Sequence, residues 1–147
     1  MLRTRIAIVM AVLRCGQHLC VARRSQRVGT SRGLWSVVTG YLEPEVDPLT
    51  QAWTELDEEL SLRPPTVHLV GRLDPLPLSS PASGKQFLVY PFLFECDESE
   101  PLVLNWEHDE ARWTDLSQLA GLDCVRWQLP LIQTLLDAQP TRHPSNP

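Results

Sequence analysis

The residues in this chain best suited to do chemistry are the glutamates of Glu55-Leu56-Asp57-Glu58-Glu59. On a helix, at about 100° per residue, Glu55 and Glu59 fall within roughly 40° of each other, and Glu58 lies about 60° to the other side of Glu55. Three carboxylates then share one side of one helix. Like charges at this spacing repel and weaken a helix unless a cation neutralises them. An oxygen-rich, multiply anionic site suits Mg²⁺ or Mn²⁺, ions that hold phosphate and activate water. The competing interpretation is that the segment is simply the wet side of an amphipathic helix, and the acidic run taken alone does not separate the two.

The helix itself is well signalled. Asp47 can accept from the orphan amides as N-cap, and Pro48 fits the first helical position, where its missing N–H costs nothing. Leu49, Ala52, Trp53, Leu56 and Leu60 then recur at helical spacing, giving one apolar stripe. Glu55 and Glu58 point away from that stripe, and Glu59 runs along its Ala52 border. The helix should end near Leu60 to Leu62, before Pro64-Pro65.

Around it, Ile6 to Leu13 and His18 to Ala22 flank a turn at Gly16-Gln17 and read as a hairpin. Arg23 to Gly33, with four arginines, reads as an exposed loop, and Leu34 to Val38 as a strand. Further strands are expected at Thr66 to Val70, Gln86 to Cys96 and Leu102 to Asn105, with a short extended piece at Ala111 to Trp113. Pro75 to Gly84 reads as a long surface loop. A helical turn at Leu116 to Ala120 and an amphipathic helix at Gln128 to Ala138 complete the set, with Gln139 to Pro147 a loose tail. Strands interrupted by one internal helix and closed by another predict an α/β or α+β sandwich of helices on a mixed sheet, one domain over residues 1–138.

The chain of 147 residues can bury a core without staples. Its net charge of −5, with both signs mixed along the chain, argues against gripping a nucleic acid duplex or an anionic membrane and leaves room for a small phosphorylated ligand. Met1 to Leu13 has the charged and apolar parts of a secretory signal, but Arg14 and Cys15 stand where small cleavage-site residues belong, so a buried first strand is the expectation. No run approaches the ~20 apolar residues of a membrane-spanning helix. Cys15, His18 and Cys20 resemble half a zinc site without a second half, and the four scattered cysteines suit reduced thiols in a cytoplasmic setting.

Context resolves the acidic run. Gly40-Tyr41-Leu42-Glu43, Asp47-Pro48, Ala52, Glu55-Leu56, Glu58-Glu59 and Leu62 fall in a register that resembles the Nudix box, a loop-helix-loop signature that opens on a glycine and closes on an aliphatic residue. Val21-Ala22-Arg23-Arg24-Ser25 and Gly33-Leu34-Trp35 look like the family's hairpin strand and its entry to the box. Trp35 to Gly40 is similar to the dihydroneopterin-triphosphate pyrophosphohydrolases. Pro91-Phe92-Leu93-Phe94, Leu104 to His108 and Trp113 look more like the Nudix domains found with initiation-factor-2B-like isomerases.

The resemblance implies a Nudix α/β/α sandwich and a Mg²⁺- or Mn²⁺-dependent pyrophosphohydrolase acting on a nucleoside diphosphate linked to some group X, or on a nucleoside or pterin triphosphate. It implies Glu55 and Glu59 as principal metal ligands, Glu58 as a further ligand or a base, and Glu107, with Glu110 as runner-up, as an added acid. Arg24, Trp35 and Gly40 fall at substrate-side positions. A homodimer is compatible with the family, though no feature of the sequence requires it.

Three box positions depart from the pattern. Val46 stands where the family has its first glutamate, Thr54 where it has an arginine, and Ser61 where it has a late glycine. Loss of the acid and the arginine together leaves neither unpaired, and Glu45 or Asp47 is the nearest replacement acid. Without the arginine, Glu55 should depend more on bound metal and on raised pH to stay ionised. Ser61 should cost about 1 kcal/mol if its backbone is left-handed.

The rival expectations are a Nudix-like domain that binds a nucleotide or sugar phosphate as a sensor, and a plain protein-interaction domain. His108 is a candidate base or a structural hydrogen-bonding residue. Arg23, Arg24, Arg27 and Arg32 either meet phosphate or stay solvated. Trp35, Trp106 and Trp113 either stack on a ring or pack in the core.

Overall fold

A computed structural model describes residues 5–79, 83–96 and 101–139. The central strand β1 (Ile6–Cys15) turns at Gly16-Gln17 into β2 (His18–Arg24), followed by β3 (Trp35–Ser36) and β4 (Val38–Tyr41). Helix α1 (Pro48–Leu60) precedes β5 (Val67–Arg72), β6 (Leu76–Ser79), β7 (Gln86–Cys96) and β8 (His108–Thr114), and two helices close the chain, α2 (Leu116–Ala120) and α3 (Gln128–Asp137). The sheet is mixed: β1 runs parallel to β7 and antiparallel to β2 and β4, while β8 and β3 pair with β2, and β5 and β6 pair with β7.

The apolar run of β1 is continuous because both of its faces are covered. Val9, Ala11 and Leu13 join Ala52, Leu56 and Leu60 of α1, with Phe92 and Phe94, in one core layer. Met10 and Val12 point the other way, into a layer with Leu119 of α2 and Ile132 and Leu135 of α3. Helices thus sit on both faces of the sheet, the sandwich expected from the order of elements.

Several boundaries differ from expectation for identifiable reasons. The stretch from Leu34 to Val38 is split at Val37, whose N–H donates to Gln128 Oε1 at 3.0 Å instead of to a strand, while Gln128 Nε2 donates to Ser36 Oγ at 2.9 Å. Residues 76–79, expected as loop, form β6 against β7, with Pro77 opposite Leu88; an edge position tolerates the missing N–H. Leu102 to Asn105, expected as a strand, has no ladder partner among the described residues. Its Val103 N–H donates to the Leu60 carbonyl at 3.1 Å, and Leu102 and Leu104 pack on the α1 layer, so the alternating apolar pattern closes the end of the core. The strand expected at 111–113 begins earlier, at His108, and Arg23 and Arg24 belong to β2 rather than to the loop. Residues 1–4, part of the 75–84 loop and the tail beyond Gln139 lie outside the described residues. Among the described residues, no helix is long and apolar enough to cross a membrane.

The caps of α1 follow the sequence. Asp47 accepts from Leu49 N and Thr50 N, and Ser61 ends the helix in a left-handed conformation, φ 59°, with its N–H on the Asp57 carbonyl. A non-glycine residue is disfavoured there. Ser61→Gly should therefore stabilise the protein by roughly 0.5–1 kcal/mol, partly offset by loss of the 3.3 Å hydrogen bond from Ser61 Oγ to the Val103 carbonyl. Thermal unfolding checks this; an unchanged or lower midpoint would contradict it.

Candidate active site

Helix α1 buries more than its apolar stripe. Gln51, Glu55 and Glu59, each one turn from the next, are buried alongside Ala52, Leu56 and Leu60. Glu59 is 1% exposed and Glu55 9%, while Glu58 is exposed at the lip. The wheel placed Glu55 outward with Glu58; the structure turns it inward because β4 crosses there and offers a residue with no side chain. A Cβ on Gly40 would lie 2.6 Å from Glu55 Cγ and overlap the carboxyl group, so glycine at position 40 is what admits Glu55. Gln51, which sequence reasoning missed, makes a long 3.5 Å contact from Nε2 to Glu55 Oε1 and accepts from Glu43 N at 3.2 Å. Its only sequence signal was its place one turn before Glu55.

Opposite the helix, strand β8 brings His108 to Glu59. Nδ1 lies 3.6 Å from Glu59 Oε1, beyond hydrogen-bond reach, and both side chains are 1% exposed. Burial, reinforced by the nearby Arg24 guanidinium, pushes the imidazole down to about 4, so the two do not form an ion pair at neutral pH. Glu59 Oε2 and His108 Nδ1 are left buried without a hydrogen-bond partner.

Burial pushes Glu55 up to about 7; a hydrogen bond with Glu59 opposes the rise, and the charges of Glu58 and Glu107 add to it. Burial, followed by the charges of Glu55 and Glu107, pushes Glu59 well above the usual carboxylate range, against a lowering pull from Arg24. Two carboxyl groups that hydrogen-bond each other in a dry site share a proton. Both acids of the pair are therefore biased toward the protonated form.

The remaining candidates are distributed around the pair. Glu107 is held at the rim: its N–H donates to Asn105 Oδ1 at 3.0 Å, its Oε1 accepts from Asn105 Nδ2 at 3.3 Å, and its carbonyl accepts from Ser25 N at 2.8 Å. Asn105 also went unanticipated. Glu110 instead faces Arg23 at 3.6 Å and Arg112 at 3.3 Å. Arg24 pairs across the sheet with His108, past a bulge, and its Nε donates to the Thr30 carbonyl at 2.9 Å. Trp35 is 6% exposed, its ring flanked by the guanidinium groups of Arg112 at 4.3 Å and Arg23 at 5.9 Å. Asp47 caps α1, Glu45 is exposed with φ 63°, and Thr54 is exposed with its Oγ1 donating to the Thr50 carbonyl.

Among the described residues, no three His, Cys, Asp or Glu side chains already converge as a metal site. The donors nonetheless fit a hard divalent cation. An unpartnered buried carboxylate oxygen on Glu59 adjoins Glu55, Glu58 stands one turn from Glu55 at the lip, and Glu107 lies near enough to raise both buried acids. A cation there would neutralise the charge that burial now suppresses with a proton.

Comparison with known proteins identifies the family and the fold. The family described as NUDIX domain matches residues 3–135. The fold is similar to a C. elegans Ap4A hydrolase, with a TM-score of 0.73 at 15% identity over 90% of this chain and 96% of that one. It is also similar to the E. coli dihydroneopterin triphosphate pyrophosphohydrolase, with a TM-score of 0.74 at 15% identity over 92% of this chain and 100% of that one. The NUDIX domain of Shewanella oneidensis NrtR, solved with ADP ribose, gives a TM-score of 0.73 at 14% identity over 92% and 89% of the two chains. No curated sequence matches the chain significantly. With a family signature running nearly from end to end and a fold that superposes on its members, the chain belongs to the Nudix family.

Proposed function

We propose that this protein is a Mg²⁺- or Mn²⁺-dependent pyrophosphohydrolase that cleaves the phosphoanhydride bond of a small phosphorylated substrate, either a nucleoside diphosphate linked to a second group or a nucleoside or pterin triphosphate. The observation that carries this reading is the buried Glu55–Glu59 pair, with Glu55 set against the side-chain-free surface of Gly40 and Oε2 of Glu59 unpartnered. A helix face whose purpose was solvation would not bury two carboxylates.

When bound, the cation supplies Lewis-acid polarisation of the diphosphate and makes a neighbouring water acidic enough to ionise near neutral pH. Glu55 and Glu59 would hold it, with Glu107 completing the acidic set from the rim. Glu58, exposed one turn from Glu55, is free to take a proton from the attacking water, whose oxygen bonds to phosphorus as the bridging P–O bond breaks. Arg24, whose charge already reaches Glu59 and His108, balances negative charge on the phosphate. His108 is neutral at working pH and packs Glu59 in place. Trp35, clasped between arginines, is packed into the layer that faces α2 and α3. The setting is taken as cytoplasmic, with a small-molecule substrate rather than a duplex or a membrane as partner.

Val46 and Thr54 favour a second reading, a domain that binds the same class of ligand as a sensor with little turnover. Screening nucleoside diphosphate sugars, dinucleoside polyphosphates and triphosphates with Mg²⁺ or Mn²⁺ separates the two. The hydrolase reading predicts turnover that Glu59→Gln lowers by roughly 100-fold or more. Turnover undiminished in Glu59→Gln sinks the mechanism, and metal-dependent binding without turnover selects the sensor.

The raised acids also set a pH dependence. Glu55 titrates at about 7 in the fold against an ordinary 4.5, so the folded chain holds more protons than the unfolded one, and stability is lost as pH rises through about 7. His108, depressed from 6.5 to about 4, acts in the opposite sense, costing stability only as pH falls below 6.5. Above that value the carboxyl groups act alone. The melting temperature of chelator-treated protein should fall between pH 6.5 and about 8 and recover with saturating Mg²⁺. A flat profile in chelator would contradict the assignment.

A further inference from the structure

Of the five tryptophans in the chain, four are committed to packing. Trp35 lies between two arginines, Trp53 meets Phe94 edge-on at 4.6 Å, Trp113 packs on the α1 layer and Trp127 on the opposite one. Trp106 is different, with 54% of its surface exposed. Its backbone is nevertheless tightly held, its carbonyl accepting from Ser25 Oγ at 2.8 Å while the next residue's carbonyl accepts from Ser25 N at 2.8 Å. Among the described residues, the cation over its ring is that of Arg27, at 5.8 Å, from an exposed position in the loop after β2. A single exposed apolar residue is ordinary. A large ring on an anchored backbone, with a guanidinium over it and an acid of the candidate site immediately following in the chain, is a specific arrangement.

We propose that Trp106, together with Arg27, is the platform on which the flat ring of the ligand, a purine or pterin base, stacks while its phosphates reach the acidic cluster. The indole gives a sequence-tolerant π-face, and the guanidinium adds a second planar, cationic surface. Trp106 is thus a specificity residue that selects ring-bearing phosphate esters over bare polyphosphates. This inference rests on the proposed function for where the phosphates bind, and on the exposed ring alone for what binds beside them. Among the sequence candidates for ring stacking, the geometry points to Trp106, because Trp35 has both of its neighbours in place and Trp113 is packed.

The test uses the full chain with Mg²⁺ and two non-hydrolysed or base-free probes, α,β-methylene-ATP and inorganic tripolyphosphate, titrated calorimetrically. The wild type should bind the ring-bearing probe more tightly than tripolyphosphate. Trp106→Ala should weaken the ring-bearing probe roughly ten-fold and leave tripolyphosphate within about two-fold, while Trp106→Phe, which keeps a π-face, should stay near the wild type. With a substrate found by screening, Trp106→Ala should raise KM and spare kcat. Equal weakening of both probes would mean that Trp106 merely supports Glu107 and would overturn the proposal, as would a wild type indifferent to the ring. Ring-dependent binding without turnover removes the hydrolase reading and keeps the platform; turnover without ring dependence does the reverse; binding of neither probe removes both.

Discussion

Everything in this molecule turns on two carboxyl groups buried where no fold would gain by putting them. Glu55 and Glu59 sit one turn apart on α1, nearly sealed from water, with Gln51 and one another as their hydrogen-bond partners among the described residues and Oε2 of Glu59 unpartnered. Burying an unsatisfied acid costs stability, and proteins relieve such a cost by protonation or by a cation. The same arrangement explains the raised acids and the need for glycine at position 40.

The rest of the fold holds this pair in place. Strand β1, apolar on both faces, anchors the sheet; α1 lies on one face through Ala52, Leu56 and Leu60, and β4, hydrogen-bonded to β1, brings Gly40 under Glu55. From the other side β2 and β8 deliver Arg24 and His108 as cross-strand neighbours, and the loop at Ser25 pins Trp106 and Glu107 by their backbones. The site is therefore assembled from three stretches far apart in the chain, held by backbone hydrogen bonds and by the side chains of Ser25, Gln51 and Asn105.

Much of this was legible in the sequence, and the reasons are local. Asp47-Pro48 and the Leu49-to-Leu60 period determine α1 through capping and amphipathicity, both read within a single turn or stripe. The spacing of Gly40 from Glu55 identified the family. What the helical wheel could not supply was which neighbour covers each face: Glu55 looked outward until β4 placed a bare Cα beside it. Gln51 and Asn105 were illegible for the same cause, since a polar residue becomes part of a site only through what the tertiary fold lays against it. Leu102 to Leu104 misled because alternation signals a strand only where a ladder partner is available, and here the alternate leucines close the core instead. Trp106 and Trp35 cannot be told apart by composition; their difference lies in exposure, 54% against 6%.

The central claim is that the Glu55–Glu59 pair is a cation site kept neutral by a proton until metal arrives. Calorimetric titration of Mn²⁺ into the metal-free protein at pH 7, repeated in two buffers of different ionisation enthalpy, measures the protons displaced. The account predicts release of roughly one proton or more for each ion bound, abolished in the Glu55→Gln, Glu59→Gln double variant. Mn²⁺ binding that releases no proton, or that persists in the double variant, would contradict it.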